Sequence, residues 1–128
     1  MILCVVDDLI FSVKISTAAK ALGVEIYFER SAEMVVPRIR EKKPSLVILD
    51  LNSAKLRPME VVAALKADSD LKHIETLGYV SHVQADVIAA ARNAGIDEVL
   101  ARSAFSDRLG EILTPKDLRE PEPPEHRA

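Results

Sequence analysis

Unbroken apolar runs alternate along the chain with stretches in which apolar residues recur every three or four positions. Segments at 1–6, 45–51 and 76–80 have the length of strands, and the unbroken apolar runs within the first two are typical of strands buried on both faces. Segments at 24–28 and 98–101 predict two further strands, and we expect the one at 24–28 near an edge of the sheet. A helical pattern follows each predicted strand.

Glycine marks the end of two of the predicted helices. Gly23 ends the first helix and Gly95 the fourth, because glycine adopts the left-handed conformation that terminates a helix without strain. The first helix is predicted by one stripe of apolar residues at the spacing i, i+4, i+7 and i+11: Phe11, Ile15, Ala18 and Leu22.

Serine and proline mark the ends of the other helices. Ser31 can cap the second helix, and Pro37, about two turns further on, predicts that this helix is kinked or begins late. Pro58 suits the first turn of the third helix. Ser103 or Ser106 is the predicted cap of the last helix.

The order of these elements is β then α, five times over. Such an alternation predicts an α/β protein with right-handed crossovers, a parallel sheet and helices on both faces. We expect one domain at 1–114. The remainder, 115–128, holds four of the seven prolines and almost no apolar residues, so we predict a flexible tail rich in proline and charge.

Composition and charge exclude several classes of function. The chain has 128 residues, of which 48% are hydrophobic and 29% charged, and its net charge of −3 with scattered basic residues predicts no nucleic-acid surface. No apolar run is long enough to span a membrane, and no secretory signal begins the chain, so we expect a cytoplasmic protein. Cys4, the single cysteine, is expected to be a small buried hydrophobe.

Three carboxylates follow two of the predicted buried strands. Asp7 and Asp8 come directly after the first strand, and Asp50 ends the third. The carboxyl ends of parallel strands lie at one edge of a sheet, where ligands bind, so we expect these three side chains to lie together. Carboxylates brought close need a proton or a cation, and a hard divalent cation such as Mg²⁺ prefers oxygen ligands.

Two further residues at the same edge suit phosphoryl chemistry. A hydroxyl at Ser81 and a positive charge at Arg102 can hold phosphoryl oxygens while a carboxylate attacks phosphorus. These residue types therefore fit the phosphorylation of an aspartate. A structural role stays open beside this one, since Asp8 can simply cap the first helix.

Over residues 1–113 the chain resembles the receiver domain of two-component response regulators. The resemblance implies a flavodoxin-like (CheY-like) fold with strand order 2-1-3-4-5 and Ala94-Gly95 before the fifth strand. The segments that carry it at the first, third and fourth strands are ILCVVDD at 2–8, VILDLN at 47–52 and YVSH at 79–82.

The resemblance also assigns roles to residues. It implies that Asp50 accepts the phosphoryl group and that Ser81 follows it. It implies a site for Mg²⁺ or another divalent cation at Asp7, Asp8, Asp50 and Asn52, with Asp8 and the backbone carbonyl of Asn52 as direct ligands. The partner that it implies is a histidine kinase or a phosphotransfer protein, and it allows a homodimer through the fourth and fifth helices.

The chain departs from the family pattern in five places. Arg102 stands where the family has a lysine, and Ser103 follows it in place of a proline. Val99 occupies the position of the aromatic residue that usually moves with the phosphorylated site, and the loop at 52–57, before Pro58, lacks the family's proline and glycine. His82 occupies a position that is usually small, where it either gates access to the site or is an ordinary loop histidine.

Three functions therefore compete. The first is a phosphoacceptor receiver that signals through a changed surface rather than as an enzyme. The second is a degenerate receiver that acts as a protein-interaction module without phosphate. The third is a phosphatase with an aspartyl nucleophile, since Asp50-Leu51-Asn52 is loosely similar to a haloacid-dehalogenase motif, but the further acid and lysine motifs of that family are not found.

Overall fold

A computed structural model describes residues 1–81 and 84–115 of the chain. Five parallel strands form one sheet in the order β2-β1-β3-β4-β5, which confirms the predicted topology. In chain order the elements are β1 (Ile2–Val5), α1 (Leu9–Leu22), β2 (Ile26–Phe28), α2 (Ala32–Lys42), β3 (Leu46–Asp50), α3 (Pro58–Ala67), β4 (Glu75–Val80), α4 (Ala85–Ala94), β5 (Glu98–Ala101), α5 (Arg102–Asp107) and α6 (Leu109–Leu113).

Two hydrophobic layers, one on each face of the sheet, hold the structure together. Successive residues of a strand point to opposite faces, so Val47 and Leu49 of β3 pack with α2, α3 and α4, while Ile48 packs with α1, α5 and α6. Asp50, two residues beyond Ile48, belongs to the second face. The same period places Tyr79 of β4 on that face, in register with Asp50.

The predicted ends of several elements are confirmed. Gly23 and Gly95 end α1 and α4 with φ values of 69° and 104°, in the left-handed region. Pro58 is the first residue of α3. Cys4 is fully buried, and this burial raises the pKa of its thiol to about 12, as expected of a small hydrophobe inside a strand.

The second helix does not begin late, so that part of the prediction is wrong. Helix α2 begins at Ala32 and runs past Pro37 to Lys42. Val35 and Ile39 flank the proline and are fully buried against the sheet. Burial of two such side chains stabilises the helix by about 1.5–3 kcal/mol each, which offsets a proline cost of about 3 kcal/mol.

The start of the last helix is also corrected. Neither Ser103 nor Ser106 caps it, because α5 begins at Arg102 directly after β5. The helix is then interrupted at Arg108, beyond which α6 follows. The predicted apolar stripe is nevertheless buried, and its packing outweighs the absence of a side-chain cap, which costs about 1 kcal/mol; its members are Phe105, Leu109 and Ile112.

Some predictions concern parts of the chain outside the described residues. These are the role of His82 and most of the predicted tail, 116–128. The division into a domain at 1–114 and a flexible tail at 115–128 therefore stays a prediction. Within 1–81 and 84–115, no helix combines the length and the apolar character that crossing a bilayer requires.

Candidate functional site

Asp50 is the last residue of the central strand β3, and its side chain is half-buried. Its Oδ1 accepts a hydrogen bond of 3.0 Å from the backbone N–H of Asn52. Burial raises the pKa of this carboxyl, and the negative charges of Asp8 and Asp7 raise it further. The Asn52 N–H and the positive charge of Arg102 act in the opposite direction without cancelling the effect. The negatively charged form of the Asp50 carboxyl is therefore less favoured than that of an ordinary exposed aspartate.

Asp8 links α1 to the start of α5. It is the N-cap of α1, and its Oδ1 accepts a hydrogen bond of 3.2 Å from the backbone N–H of Phe11. Its Oδ2 accepts a hydrogen bond of 2.5 Å from Nη2 of Arg102, 94 residues later in the chain. The capping role that the sequence left open is therefore confirmed, and the same carboxylate also forms an ion pair at the candidate site.

The guanidinium of Arg102 lies against the ring of Phe11, which belongs to a group of three aromatic rings. Its Cζ lies 4.1 Å from the centroid of the Phe11 ring, within the range of a cation–π contact. Phe11 meets Tyr79 edge-on at 5.0 Å, and Tyr79 stacks on Phe105 at 4.7 Å. This three-ring group is buried on the face of the sheet that carries Asp50.

The Tyr79 hydroxyl is buried and has no hydrogen-bond partner among the described residues. Burial raises the pKa of this phenol above its ordinary value, and the charges of Asp50 and Asp8 raise it further. The hydroxyl therefore stays protonated, as a neutral polar group beneath the acidic residues.

The side chain of Asn52 joins the loops that follow β3 and β4. Its Oδ1 accepts hydrogen bonds from the backbone N–H of Ser81 at 2.6 Å and from the Ser81 hydroxyl at 2.8 Å. Its Nδ2 donates to Oε1 of Gln84 at 3.2 Å. The predicted hydroxyl at Ser81 is thus present at the correct edge, where it donates to Asn52.

Asp7 lies at the outside of this group. It is exposed, and its Oδ1 is 3.8 Å from Nζ of Lys55, whose side chain is itself 68% exposed. An ion pair this open to solvent stabilises a protein by at most about 1 kcal/mol. Asp7 adds negative charge at the outside of the edge.

The predicted metal ligands carry suitable oxygens, but their arrangement does not fit a divalent cation as the side chains stand. Within the described part of the chain, no three His, Cys, Asp or Glu residues are grouped so that they could hold a metal ion. Both oxygens of Asp8 already accept hydrogen bonds, one of them from the cationic Arg102. A metal-ligand role for Asp7, Asp8, Asp50 and Asn52 stays a prediction.

Three contributors to the site were missed in the sequence: Phe11 was placed only in the apolar stripe of the first helix, Tyr79 only in the fourth strand, and Gln84 was given no role. Period-two alternation along β4 could have identified Tyr79, since it lies two residues before Ser81 and faces the side of Asp50. No sequence pattern indicates the Asn52–Gln84 contact. Val99 lies half-buried against the opposite hydrophobic layer, so it adds no aromatic ring to this face.

Comparisons with known proteins identify the fold. No family model matches the chain, and no curated protein matches it in sequence. Many solved structures do match, and response regulators are prominent among them. The phosphorylated cyanobacterial phytochrome response regulator RcpA is 25% identical, with a TM-score of 0.73 over 88% of this chain and 86% of that one.

Two further structures extend the likeness. The Mn²⁺-bound form of response regulator Rcp1 is 20% identical, with a TM-score of 0.73 over 94% of this chain and 98% of that one. A response regulator from Hahella chejuensis is 19% identical, with a TM-score of 0.78 over 88% of this chain and 90% of that one. The chain has the fold of response regulator receiver domains, which confirms the resemblance seen in the sequence.

Proposed function

We propose that the chain is a receiver module of two-component signalling that accepts a phosphoryl group on Asp50 from a histidine kinase or a phosphotransfer protein. The observation that carries the proposal is the position of this half-buried carboxylate, at the end of the central strand and within the electrostatic influence of both Asp8 and Arg102. Phosphorylation changes the surface of the module, and the product is a signal rather than a released metabolite.

The transfer step uses the second oxygen of the Asp50 carboxylate. Oδ1 is held by the Asn52 N–H, and no hydrogen bond engages Oδ2 within the described residues. Oδ2 attacks phosphorus and forms an O–P bond, while the P–N bond of a phosphohistidine donor breaks and the imidazole leaves with the electron pair. Arg102, bound to the neighbouring Asp8, supplies positive charge close to the oxygens on which negative charge develops.

Ser81 has a definite part in this proposal. Its hydroxyl now donates to Asn52 at 2.8 Å, and a phosphoryl oxygen on Asp50 is a charged and therefore stronger acceptor than an amide carbonyl. Exchange of one acceptor for the other would loosen the link between the two loops. The change at the surface would begin with Asn52 and its other partner, Gln84.

The structural neighbours support the receiver role in general terms. One neighbour is a phosphorylated response regulator and another is a Mn²⁺-bound one. A divalent cation, Mg²⁺ or another, remains part of the proposal as a prediction. The cytoplasmic location and the homodimer are likewise predictions that the contacts described above leave open.

Mass spectrometry of the intact protein tests the proposal. The chain is incubated with acetyl phosphate, once with Mg²⁺ and once with a chelator, and we expect a mass gain of one phosphoryl group. Asp50→Asn should abolish this gain, whereas Asp107→Asn, which removes an exposed carboxylate on α5, should not. Failure of the wild-type chain to gain mass, under conditions that label an ordinary receiver, would contradict the proposal.

A second function, that of an interaction module independent of phosphate, is favoured by one specific observation. Two groups that would assist phosphoryl transfer to Asp50 already have partners, Asp8 with Arg102 and Ser81 with Asn52. If the chain acts in this way, Asp50→Asn binds the natural partner as tightly as the wild type does. A pull-down that compares these two proteins, with and without acetyl phosphate, distinguishes the two functions.

A further inference from the structure

The ion pair between Arg102 and Asp8 occupies the place where a receiver needs positive charge. The Nη2 of Arg102 is 2.5 Å from Oδ2 of Asp8, and the two side chains are 36% and 26% exposed. Partial burial weakens solvent screening, so this pair is held more firmly than an ion pair on the open surface. The carboxylate to which the family resemblance gives a metal is therefore already neutralised by the chain itself.

The position of the Arg102 side chain depends on a ring contact as well as on its ion pair with Asp8. Its guanidinium lies over the Phe11 ring, with Cζ 4.1 Å from the centroid. Phe11 is in turn buried against Tyr79 and Phe105, so the ring beneath the guanidinium is packed on its other sides. A lysine ammonium can also lie over a ring, but it lacks the planar guanidinium that can lie over a ring and donate to a carboxylate at the same time.

Asp8 is fixed as well, because it caps α1. The Phe11 N–H donates to its Oδ1, while Arg102 donates to its Oδ2. One residue, Phe11, thus orients both partners: its backbone holds the carboxylate and its ring holds the guanidinium. An incoming divalent cation would meet a carboxylate with both oxygens engaged and a positive charge already beside it.

We propose that the Arg102 guanidinium is the resident cation of this acidic pocket, so that a divalent cation binds at Asp8 only in competition with it. The inference deepens the proposed function, since it concerns the same pocket. It makes Arg102 the residue that determines how strongly the site depends on a metal. Access of a divalent cation requires the guanidinium to leave both Asp8 and the Phe11 ring.

Binding of Mn²⁺ alone, measured by isothermal titration or by electron paramagnetic resonance on the full chain, tests this inference. Arg102→Met removes the charge and keeps an unbranched apolar side chain over Phe11. We expect it to tighten Mn²⁺ binding by at least about tenfold, a modest part of the Coulomb penalty between two cations in contact at an effective dielectric constant of about 20. Adding Asp8→Asn to that variant should remove the gain.

Two further variants complete the experiment. Arg102→Gln keeps a planar donor toward Asp8 without the charge, so it should also tighten binding even if Arg102→Met disturbs the fold, which circular dichroism checks. Arg30→Met is the matched control, because Arg30 also lies over a ring, that of Phe28, with Cζ 4.9 Å from its centroid. This control should leave Mn²⁺ affinity unchanged.

The outcomes separate this inference from the proposed function. Equal Mn²⁺ affinity in the wild type and both neutral variants would overturn the inference, whether all bind or none does, and so would an equal gain in Arg30→Met. The titration involves no phosphoryl transfer. A missing mass gain at Asp50 would therefore overturn the proposed function and leave the result for Arg102 intact.

Discussion

The side-chain carbonyl of Asn52 accepts two hydrogen bonds from Ser81, one from its backbone N–H at 2.6 Å and one from its hydroxyl at 2.8 Å. Together with the bond from Asn52 to Gln84, this arrangement ties the loop after β3 to the loop after β4. The family resemblance assigned only the backbone carbonyl of Asn52 to the site. In the structure its side chain holds the residue that would follow a phosphoryl group.

Removing this link should lower stability by a measurable amount. Asn52→Ala deletes both bonds to Ser81 and the bond to Gln84. Because these groups are exposed and can bond to water, we expect the free energy of unfolding to fall by about 1 kcal/mol, near the net value of a hydrogen bond. Urea denaturation measures the change.

The control for this prediction is Gln84→Ala, which removes only the outer bond of 3.2 Å. It should cost a few tenths of a kcal/mol, since Asn52 can replace that partner with water. Equal losses in Gln84→Ala and Asn52→Ala would show that the contact with Ser81 contributes nothing to stability.

Replacing Tyr79 with phenylalanine should stabilise the protein. Its side chain is only 2% exposed, and its hydroxyl has no partner among the described residues. Tyr79→Phe keeps the ring contacts with Phe11 and Phe105 and removes a buried polar group without a hydrogen bond, so the free energy of unfolding should rise by about 1 kcal/mol. Thermal or urea denaturation measures the gain, and Tyr27→Phe on the edge strand is the control. A loss of stability in Tyr79→Phe would reveal a partner for the hydroxyl.

Asp97 accepts three hydrogen bonds that should make the stability of the protein depend on pH. Its Oδ2 accepts hydrogen bonds from the Thr76 backbone N–H at 2.8 Å, the Thr76 hydroxyl at 3.0 Å and Nζ of Lys66 at 3.2 Å. Partial burial acts to raise the pKa of Asp97, but these donors outweigh it and hold the pKa below its ordinary value. The unfolded chain therefore takes up a proton at higher pH than the folded one.

The direction of the effect follows from that difference. The contribution of Asp97 is fully present above the ordinary carboxyl pKa of about 3.9, and it is lost as the pH falls below that value toward the lower pKa of the folded state. Urea denaturation between pH 7 and pH 3 should show a weaker dependence in Asp97→Asn than in the wild type. Identical curves would argue against a lowered pKa.

Asp97→Ala should lower the free energy of unfolding more than Asp97→Asn does. Thr76 is fully buried, and Asp97→Ala leaves its backbone N–H without the acceptor at 2.8 Å. An unsatisfied buried donor costs about 1–3 kcal/mol, so we expect a fall of about 2 kcal/mol in the free energy of unfolding at pH 7. Asp97→Asn keeps an acceptor oxygen and should lose less, which separates the hydrogen bond from the charge.

Gly78 and Gly110 should respond to alanine in opposite ways. A Cβ on Gly78 would lie 2.7 Å from Cγ and Cδ1 of Leu51 and 2.8 Å from Cδ1 of Ile96, so Gly78→Ala should cost about 1–3 kcal/mol through overpacking. A Cβ on Gly110 meets nothing within 4 Å, and alanine inside α6 should stabilise by about 0.5–1 kcal/mol. Denaturation of both variants in urea measures the contrast.

The Gly78→Ala substitution should also affect phosphorylation at the candidate site. Leu51 follows Asp50 directly, so displacement of Leu51 moves the backbone on which Asp50 and Asn52 are held. We expect Gly78→Ala to slow labelling by acetyl phosphate, and Gly110→Ala to leave it unchanged. Unchanged labelling in Gly78→Ala would mean that Leu51 adapts by rotating its side chain alone.

The strands of the sheet could be predicted because each central strand has its own run of apolar residues in the sequence. The apolar runs that end at Asp8 and Asp50 identify central strands without any knowledge of their neighbours, and β5 matches its predicted range of 98–101. Helix starts were less predictable. Helix α2 continues through Pro37 and α5 begins at Arg102 without a serine cap, because burial of neighbouring side chains outweighs the local preference in both cases.

The sequence by itself determined the order of elements, the strand ends at which Asp8, Asp50 and Ser81 lie, and hence the edge where they gather. These follow from hydrophobic period and chain connectivity, which are local properties of the chain. Only the tertiary structure decided the partners: Arg102 bound to Asp8 across 94 residues, and Asn52 bound to Ser81 across 29. A pairing depends on which side chains the packed helices bring within hydrogen-bond distance, and no local pattern encodes that distance.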